Sequence, residues 1–227
     1  MTEFDADADA RRLAAESLAT GDATGWFERL YAEAATGDAI VPWDSRVPHP
    51  LLVEWTGGRK GHGLRALVVG CGLGDDAEHV ASLGYDTVAF DMSESAVRGA
   101  RARFPDSNVD YRTADLLNPP AAWRHAFDLV VEIMTVQSMP EPCHAEAIAG
   151  VISMVGPGGT LLVIASARDE GGPVAAPPWQ LTPSEINAFA ADGLVPQRIE
   201  DLRDTERHRC RATVHRPAPE RAGGGVG

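Results

Sequence analysis

The chain is predicted to fold as an α/β protein: a mostly parallel seven-stranded sheet with helices on both faces, preceded by a helical N-terminal cap. Three observations lead there. From Leu64 onward, short apolar runs alternate with helix-like stretches, the pattern of successive strand–helix–strand units. The first run feeds a glycine loop, LVVGCGLGDD at 67–76, which joins a buried strand to a helix N-terminus. The last two strand-like runs, 194–202 and 207–215, lie too close together for a crossover helix, so they are expected as antiparallel neighbours.

The cap occupies 1–63. After Thr24, Phe27, Leu30, Tyr31 and Ala34 recur at helical spacing, and Gly37 ends the run. The segment AIVPWDSRVPHPLLVEW, 39–55, carries three prolines and is expected to be irregular throughout. A glycine-rich linker, 57–63, leads to the core at 64–215. There 64–69 is the first strand, and Ala77, Val80 and Ala81 form the buried stripe of a helix that stops at Gly84. DTVAFD (86–91) is the second strand, and Ser93 caps a helix whose Val97, Ala100 and Phe104 face inward. NVDYRT (108–113), FDLVVEI (127–133) and GGTLLVIAS (158–166) follow as strands, with Ala145, Ile148, Ala149 and Ile152 lining the helix before the last of these. Thr182 and Glu185 form a capping box with Pro183 at the first helical position, and Gly193 is expected to close that helix. In 207–215, Cys210, Ala212 and Val214 alternate with Arg209, Arg211 and Thr213, so one face is expected to be exposed and basic. The tail, 216–227, is expected to be disordered.

Size and charge narrow the function. A chain of 227 residues buries a core of its own, and a formal net charge of −13 argues against sequence-independent nucleic-acid binding. Cys71, Cys143 and Cys210 are scattered, with no CxxC pair, and the acidic start MTEFDADADA is unlike a secretory signal. No apolar run is long enough for a membrane span. A cytoplasmic protein without metal is expected, since the seven histidines show neither HxxxH nor HExxH spacing.

The chemistry gathers at the strand ends. Gly70, Gly72 and Gly74 let a ligand approach the backbone at a helix N-terminus. A nicotinamide fingerprint needs glycine at position 75, which is aspartate. Asp75 and Asp76 oppose a pyrophosphate and favour a cationic donor without phosphates, which suits S-adenosylmethionine. Asp91 ends the second strand, where a carboxylate accepts ribose hydroxyls; Met92 follows it. Asp115 stands to receive the exocyclic amine of adenine, with Leu116 against the ring. Glu132 ends the fourth strand at the same rim, within expected reach of the methionine ammonium or the acceptor.

These residues carry a resemblance. The span from Leu64 to about Val214 resembles the class I S-adenosylmethionine-dependent methyltransferases, Rossmann-like proteins whose parallel sheet ends in an antiparallel seventh strand. Within that class, ALVVGCGLGDDAEHVASLGYDTVAFDMSESAV and the PWD segment (Val41 to Leu51) are similar to the thiopurine and halide/thiol methyltransferases. The resemblance implies methyl transfer to S, N, O or halide of a small molecule, with the PWD segment covering the cofactor. VVEIMTVQSMP departs from that group's usual aspartate-containing segment. Trp26, Trp43, Trp55 and Trp179 either pack the cap or face a sulfonium, an attraction of about 0.5–2 kcal/mol; ligand contact is favoured for Trp43 and packing for Trp55. His49, Glu132 or water would serve as general base for an acceptor that needs one. His125 is a further candidate base, though a surface role is favoured for it and for His49; Arg168, just beyond the fifth strand, either steers an anionic substrate or is a solvated loop residue. The rivals are a nicotinamide oxidoreductase and a nonenzymatic protein that binds the same cofactor.

Overall fold

The computed structural model describes residues 6–174, 177–205 and 207–219. The cap holds α1 (Ala6–Ala19), α2 (Trp26–Thr36) and α3 (Pro50–Thr56). The core follows as β1 (Arg65–Val69), α4 (Asp75–Ser82), β2 (Asp86–Asp91), α5 (Glu94–Arg103), β3 (Asp110–Thr113), β4 (Phe127–Ile133), α6 (Glu141–Ser153), β5 (Val155–Ser166), α7 (Pro183–Ala188), β6 (Val195–Arg203) and β7 (His208–His215). The seven strands make one sheet in the order β3-β2-β1-β4-β5-β7-β6, with β7 antiparallel to both of its neighbours. The expected sheet is therefore present, with the antiparallel strand inside it and β6 on the edge. Strand order reverses between β1 and β4, the switch point above which open α/β sheets bind ligands.

Two apolar layers sandwich the sheet. Leu67, Val69, Val130 and Val163 face α1, α2, α6 and α7. Val68, Ala89, Val131 and Leu162 face Leu52 of α3, Ala77 and Val80 of α4, and Val97 and Ala100 of α5.

The structure revises several expectations. Proline does not keep 39–55 irregular throughout: Pro50 takes the first position of α3, where its missing N–H is no loss, and the His49 ring caps the helix by accepting from the Leu51 amide at 3.2 Å. The inward face of α6 is His144, Ala147, Ile148, Val151 and Ile152, so Ala145 and Ala149 point outward. The capping box of Thr182 and Glu185 is formed, but α7 ends at Ala188 and Gly193 lies beyond it. Arg211 is buried rather than solvated, because α3 covers that face of β7: the guanidinium bonds Glu200 at 2.7 Å and Glu54 at 3.0 Å. Trp55 joins this packing through Nε1 to Thr213 Oγ1, at 2.9 Å. Arg216, expected in a disordered tail, is instead held by the carbonyls of Val155, Ile152 and Asp192; the rest of that expectation, 220–227, lies outside the described residues. No helix among the described residues is long and apolar enough to cross a membrane.

Candidate functional site

A cavity of about 690 Å³ opens at the carboxyl ends of the parallel strands, a volume within the roughly 300–1,000 Å³ of small-molecule sites. Its floor is the glycine loop. Gly70, Gly72 and Gly74 all have positive φ, and all three are pinned by close neighbours, Gly74 by Tyr111 Oη at 2.5 Å from a built Cβ. A Cβ on Gly70 would fall 2.4 Å from Thr135 Oγ1, and one on Gly72 would fall 2.9 Å from Tyr31 Oη. The loop is thus a cradle that only glycine backbone fits.

Asp91 holds this loop in shape. One carboxylate oxygen accepts from the Gly72 amide and the other from the Ser93 amide, both at 2.9 Å. Each oxygen keeps a second lone pair, and Asp91 lines the cavity. Burial raises its pKa to about 6, so at neutral pH it is an ionised acceptor. Met92, Asp115 and Leu116 line the same cavity; Asp115 Oδ1 accepts from the Leu117 amide at 2.9 Å, leaving its other oxygen open.

The cap forms the roof through three polar clamps. Glu28 of α2 accepts from the Ser93 hydroxyl and from the Ser95 amide and hydroxyl, an anion placed at the N-terminus of α5. Arg103 pairs bidentately with Asp44 and also reaches Asp75, at 2.7–2.8 Å. Asp76 accepts the His49 amide at 2.6 Å. The second clamp alters the electrostatic expectation at the loop: Asp75 is partnered by Arg103, so Asp76 is the loop carboxylate facing the cavity without a cation. Burial raises its pKa to about 6.

Aromatic groups complete the roof. Trp43 Nε1 donates to Tyr31 Oη at 2.7 Å and meets Trp26 edge-on at 6.1 Å. All three rings line the cavity, and Trp43 is 43% exposed. Tyr31 served the sequence only as a helix-spacing residue, and its contact with Gly72 carried no local signal. Tyr31→Phe is expected to release Trp43 and weaken nucleoside ligands about 3- to 10-fold, the effect of one lost hydrogen bond, with the fold intact by circular dichroism.

Other candidates lie elsewhere. Glu132 does not line the cavity. Its side chain is fully buried beneath the turn after β4, where Oε1 accepts from the amides of Thr135 and Val136 and Oε2 has no partner. Strand alternation turned it into the core layer, away from the rim. His49 does line the cavity, but its Nδ1 serves the α3 cap, which leaves the proton on Nε2. Burial, with Arg209 and Arg207 nearby, lowers its pKa to about 4. It is therefore a neutral donor and a poor base. His125 bonds the Val155 carbonyl, and Arg168 braces the loop after β5 through Gln180, Gly172 and Glu141. Trp179 is buried beside Pro177 and Pro178, which among the described residues of that loop line the cavity. Arg207 and Arg209 also line it, on a strand that the alternation assigned to solvent. No group of His, Cys, Asp and Glu among the described residues has the geometry of a metal site.

Comparison with known proteins agrees with this architecture. Residues 66–159 match the family model described as a methyltransferase domain. A ubiquinone biosynthesis O-methyltransferase of Thiobacillus denitrificans is 33% identical over 114 residues, 49% of this chain and 48% of that protein. The chain thus spans about half the length of the curated relatives it matches. Among solved structures, magnesium protoporphyrin IX methyltransferase of Synechocystis PCC 6803, with bound S-adenosylmethionine, superposes with TM-score 0.61 at 18% identity, covering 95% of this chain and 99% of that one. A protein described for conversion of a disulfide bond into a thioacetal group during echinomycin biosynthesis superposes with TM-score 0.66 at 19% identity, covering 84% and 93%. The fold is that of the Rossmann-like class I methyltransferases.

Proposed function

We propose that this chain transfers the methyl group of S-adenosylmethionine to a small molecule, with a sulfur nucleophile as the first choice of acceptor. The observation that carries the reading is the convergence of the glycine cradle, Asp91 and Asp115 on one cavity whose loop wall presents a carboxylate, Asp76, and no unpaired cation. A diphosphate would meet that wall unfavourably, whereas a donor bearing a sulfonium and an ammonium would not. The methyltransferase-domain match over 66–159 supports the same cofactor.

In this reading Asp91 accepts the ribose hydroxyls, Asp115 and Leu116 receive the adenine, and Gly70, Gly72 and Gly74 allow close backbone approach. Trp43, with Tyr31 and Trp26, covers the site against water. The bound donor supplies a methyl group activated by its sulfonium. The protein aligns the acceptor with that carbon and excludes solvent, and such alignment accounts for roughly 7–11 kcal/mol in well-oriented reactions. The acceptor's lone pair forms the new bond as the carbon–sulfonium bond breaks, and S-adenosylhomocysteine leaves with that electron pair.

The cavity favours an acceptor that arrives ionised. His49 holds its proton on Nε2, and Asp91 is committed to two amides. Asp76, at about 6, is a weak base for an alcohol or phenol. A thiol supplies its own thiolate and passes its proton to solvent. The O-methyltransferase relatives favour oxygen instead, and the experiment separates the two. Calorimetry with S-adenosylhomocysteine and NADH is expected to show binding of the first only. Homocysteine-forming turnover across thiols, phenols and amines is expected to favour thiols, with kcat/KM rising with pH along each thiol's own ionisation. Preference for NADH would overturn the cofactor. A phenol preference would move the acceptor to oxygen, and tight binding without turnover on any acceptor would indicate a nonenzymatic role.

A further inference from the structure

We propose that the β6–β7 hairpin forms a carboxylate-reading subsite in which Arg207 and Arg209, with the Nε2–H of His49, hold the anionic end of the methyl acceptor. The inference rests on the methyl-transfer reading and adds the substrate class to it.

The cavity is polarised. Its loop and strand-end wall carries Asp76, Asp91 and Asp115, while its lining guanidinium groups, Arg207 and Arg209, both come from the hairpin. The register explains how they arrive there. Arg209 stands opposite Ser166, the last residue of β5, so the start of β7 lies at the same rim where the parallel strands end. Arg209 has the same parity along the strand as Arg211 and Thr213, which contact α3, and His49 caps the rim-side end of that helix.

Hairpin structure accounts for only part of these side chains. Arg209 donates through one terminal nitrogen to Asp204 at 3.0 Å, and its Nε is buried with no acceptor. A buried guanidinium N–H without a partner is unusual in a native protein. The Arg207 side chain has no acceptor among the described residues; only its backbone amide bonds Asp204. Among the described residues, two guanidinium charges face the one carboxylate of Asp204, which leaves about one positive charge for a ligand. A single planar carboxylate matches that charge and the fork of the arginine donors. His49 adds a donor that does not compete, since its ring stays neutral beside the two arginines. The donor's cation and the acceptor's anion would then occupy opposite walls, which orders them for transfer.

The test uses the full chain with S-adenosylmethionine and two probes, 4-mercaptophenylacetate and its methyl ester, which differ in charge far from the thiol. The wild-type protein is expected to prefer the acid by 10- to 100-fold in kcat/KM, mostly through KM. In Arg207→Gln and Arg209→Gln that ratio is expected to fall several-fold each, and in the double variant to approach one. Arg209→Lys, which keeps the charge, should retain part of the preference. S-adenosylhomocysteine affinity reports whether the cavity persists in each variant, and Arg207, at the surface, can be replaced without loss of packing. Equal kcat/KM for acid and ester in the wild type, or an unchanged ratio in Arg207→Gln and Arg209→Gln, would overturn the subsite. If S-adenosylhomocysteine does not bind at all, the methyl-transfer reading falls by itself. Direct titration of acid against ester then still decides the subsite, equal affinity counting against it.

Discussion

Asp91→Ala is expected to weaken S-adenosylhomocysteine binding by at least 100-fold, about 2.7 kcal/mol. Two losses combine. The ribose loses its carboxylate acceptor, and the buried amides of Gly72 and Ser93 lose theirs; a buried donor left without a partner costs about 1–3 kcal/mol. Asp91→Asn should fare little better, because its NH2 group would face one of those same amides. The pH dependence separates ligand loss from unfolding. Burial holds the Asp91 carboxyl at about 6, above its unfolded value of about 3.9. The folded state therefore binds more protons than the unfolded one between roughly pH 4 and 6, and this group's contribution to stability rises as pH falls through that window. Ligand binding needs the ionised form, so affinity is expected to be flat above pH 7 and to decline below pH 6. Affinity falling while the far-ultraviolet circular dichroism holds would support this assignment. Affinity constant from pH 8 to 5 would remove Asp91 from the ribose.

The sequence was most readable where local chemistry and tertiary demand coincide. The bounds of β2 and β4, the Ser93 cap and the Thr182–Glu185 box follow from short-range patterns that the packing leaves in place. It was least readable where a distant element decided exposure. Arg211 reads as a solvated strand residue until α3, more than 150 positions earlier in the chain, is laid across it. Arg209, on the same face, turns instead to the cavity and to Asp204. Pro50 reads as a breaker when counted with Pro42 and Pro48, yet it sits at the first position of α3, where the His49 imidazole supplies the cap. At the site, Asp91 and the three glycines were legible because a strand–loop–helix turn confines them. Tyr31, Arg103 and Asp44 were not, since their roles arise from the cap folding back onto residues far along the chain.

Glu132 gives the second large effect. Its carboxyl is fully buried, and that burial pushes its pKa from 4.5 to about 7 despite two amide donors. A shift of this size costs the folded state roughly 3 kcal/mol above pH 7, and the cost disappears as pH falls through 7 towards 4.5. In Glu132→Gln, the amide oxygen can serve both Thr135 and Val136 while nothing ionises. The stability of Glu132→Gln relative to the wild type is therefore expected to be greatest at pH 8. It should shrink by on the order of 3 kcal/mol by pH 5, or several degrees in Tm for a chain of this length. Glu132→Ala, which strands both amides and leaves a void, is expected to lose about 2–5 kcal/mol near pH 5 and less at pH 8, because it too removes the titrating carboxyl. Because the side chain points into the core layer, Glu132→Gln should bind S-adenosylhomocysteine as the wild type does. Thermal melts across pH, read beside calorimetry, test both halves. A pH-independent gap between the two proteins would contradict a titrating buried carboxyl, and a tenfold loss of affinity in Glu132→Gln would return this residue to the ligand.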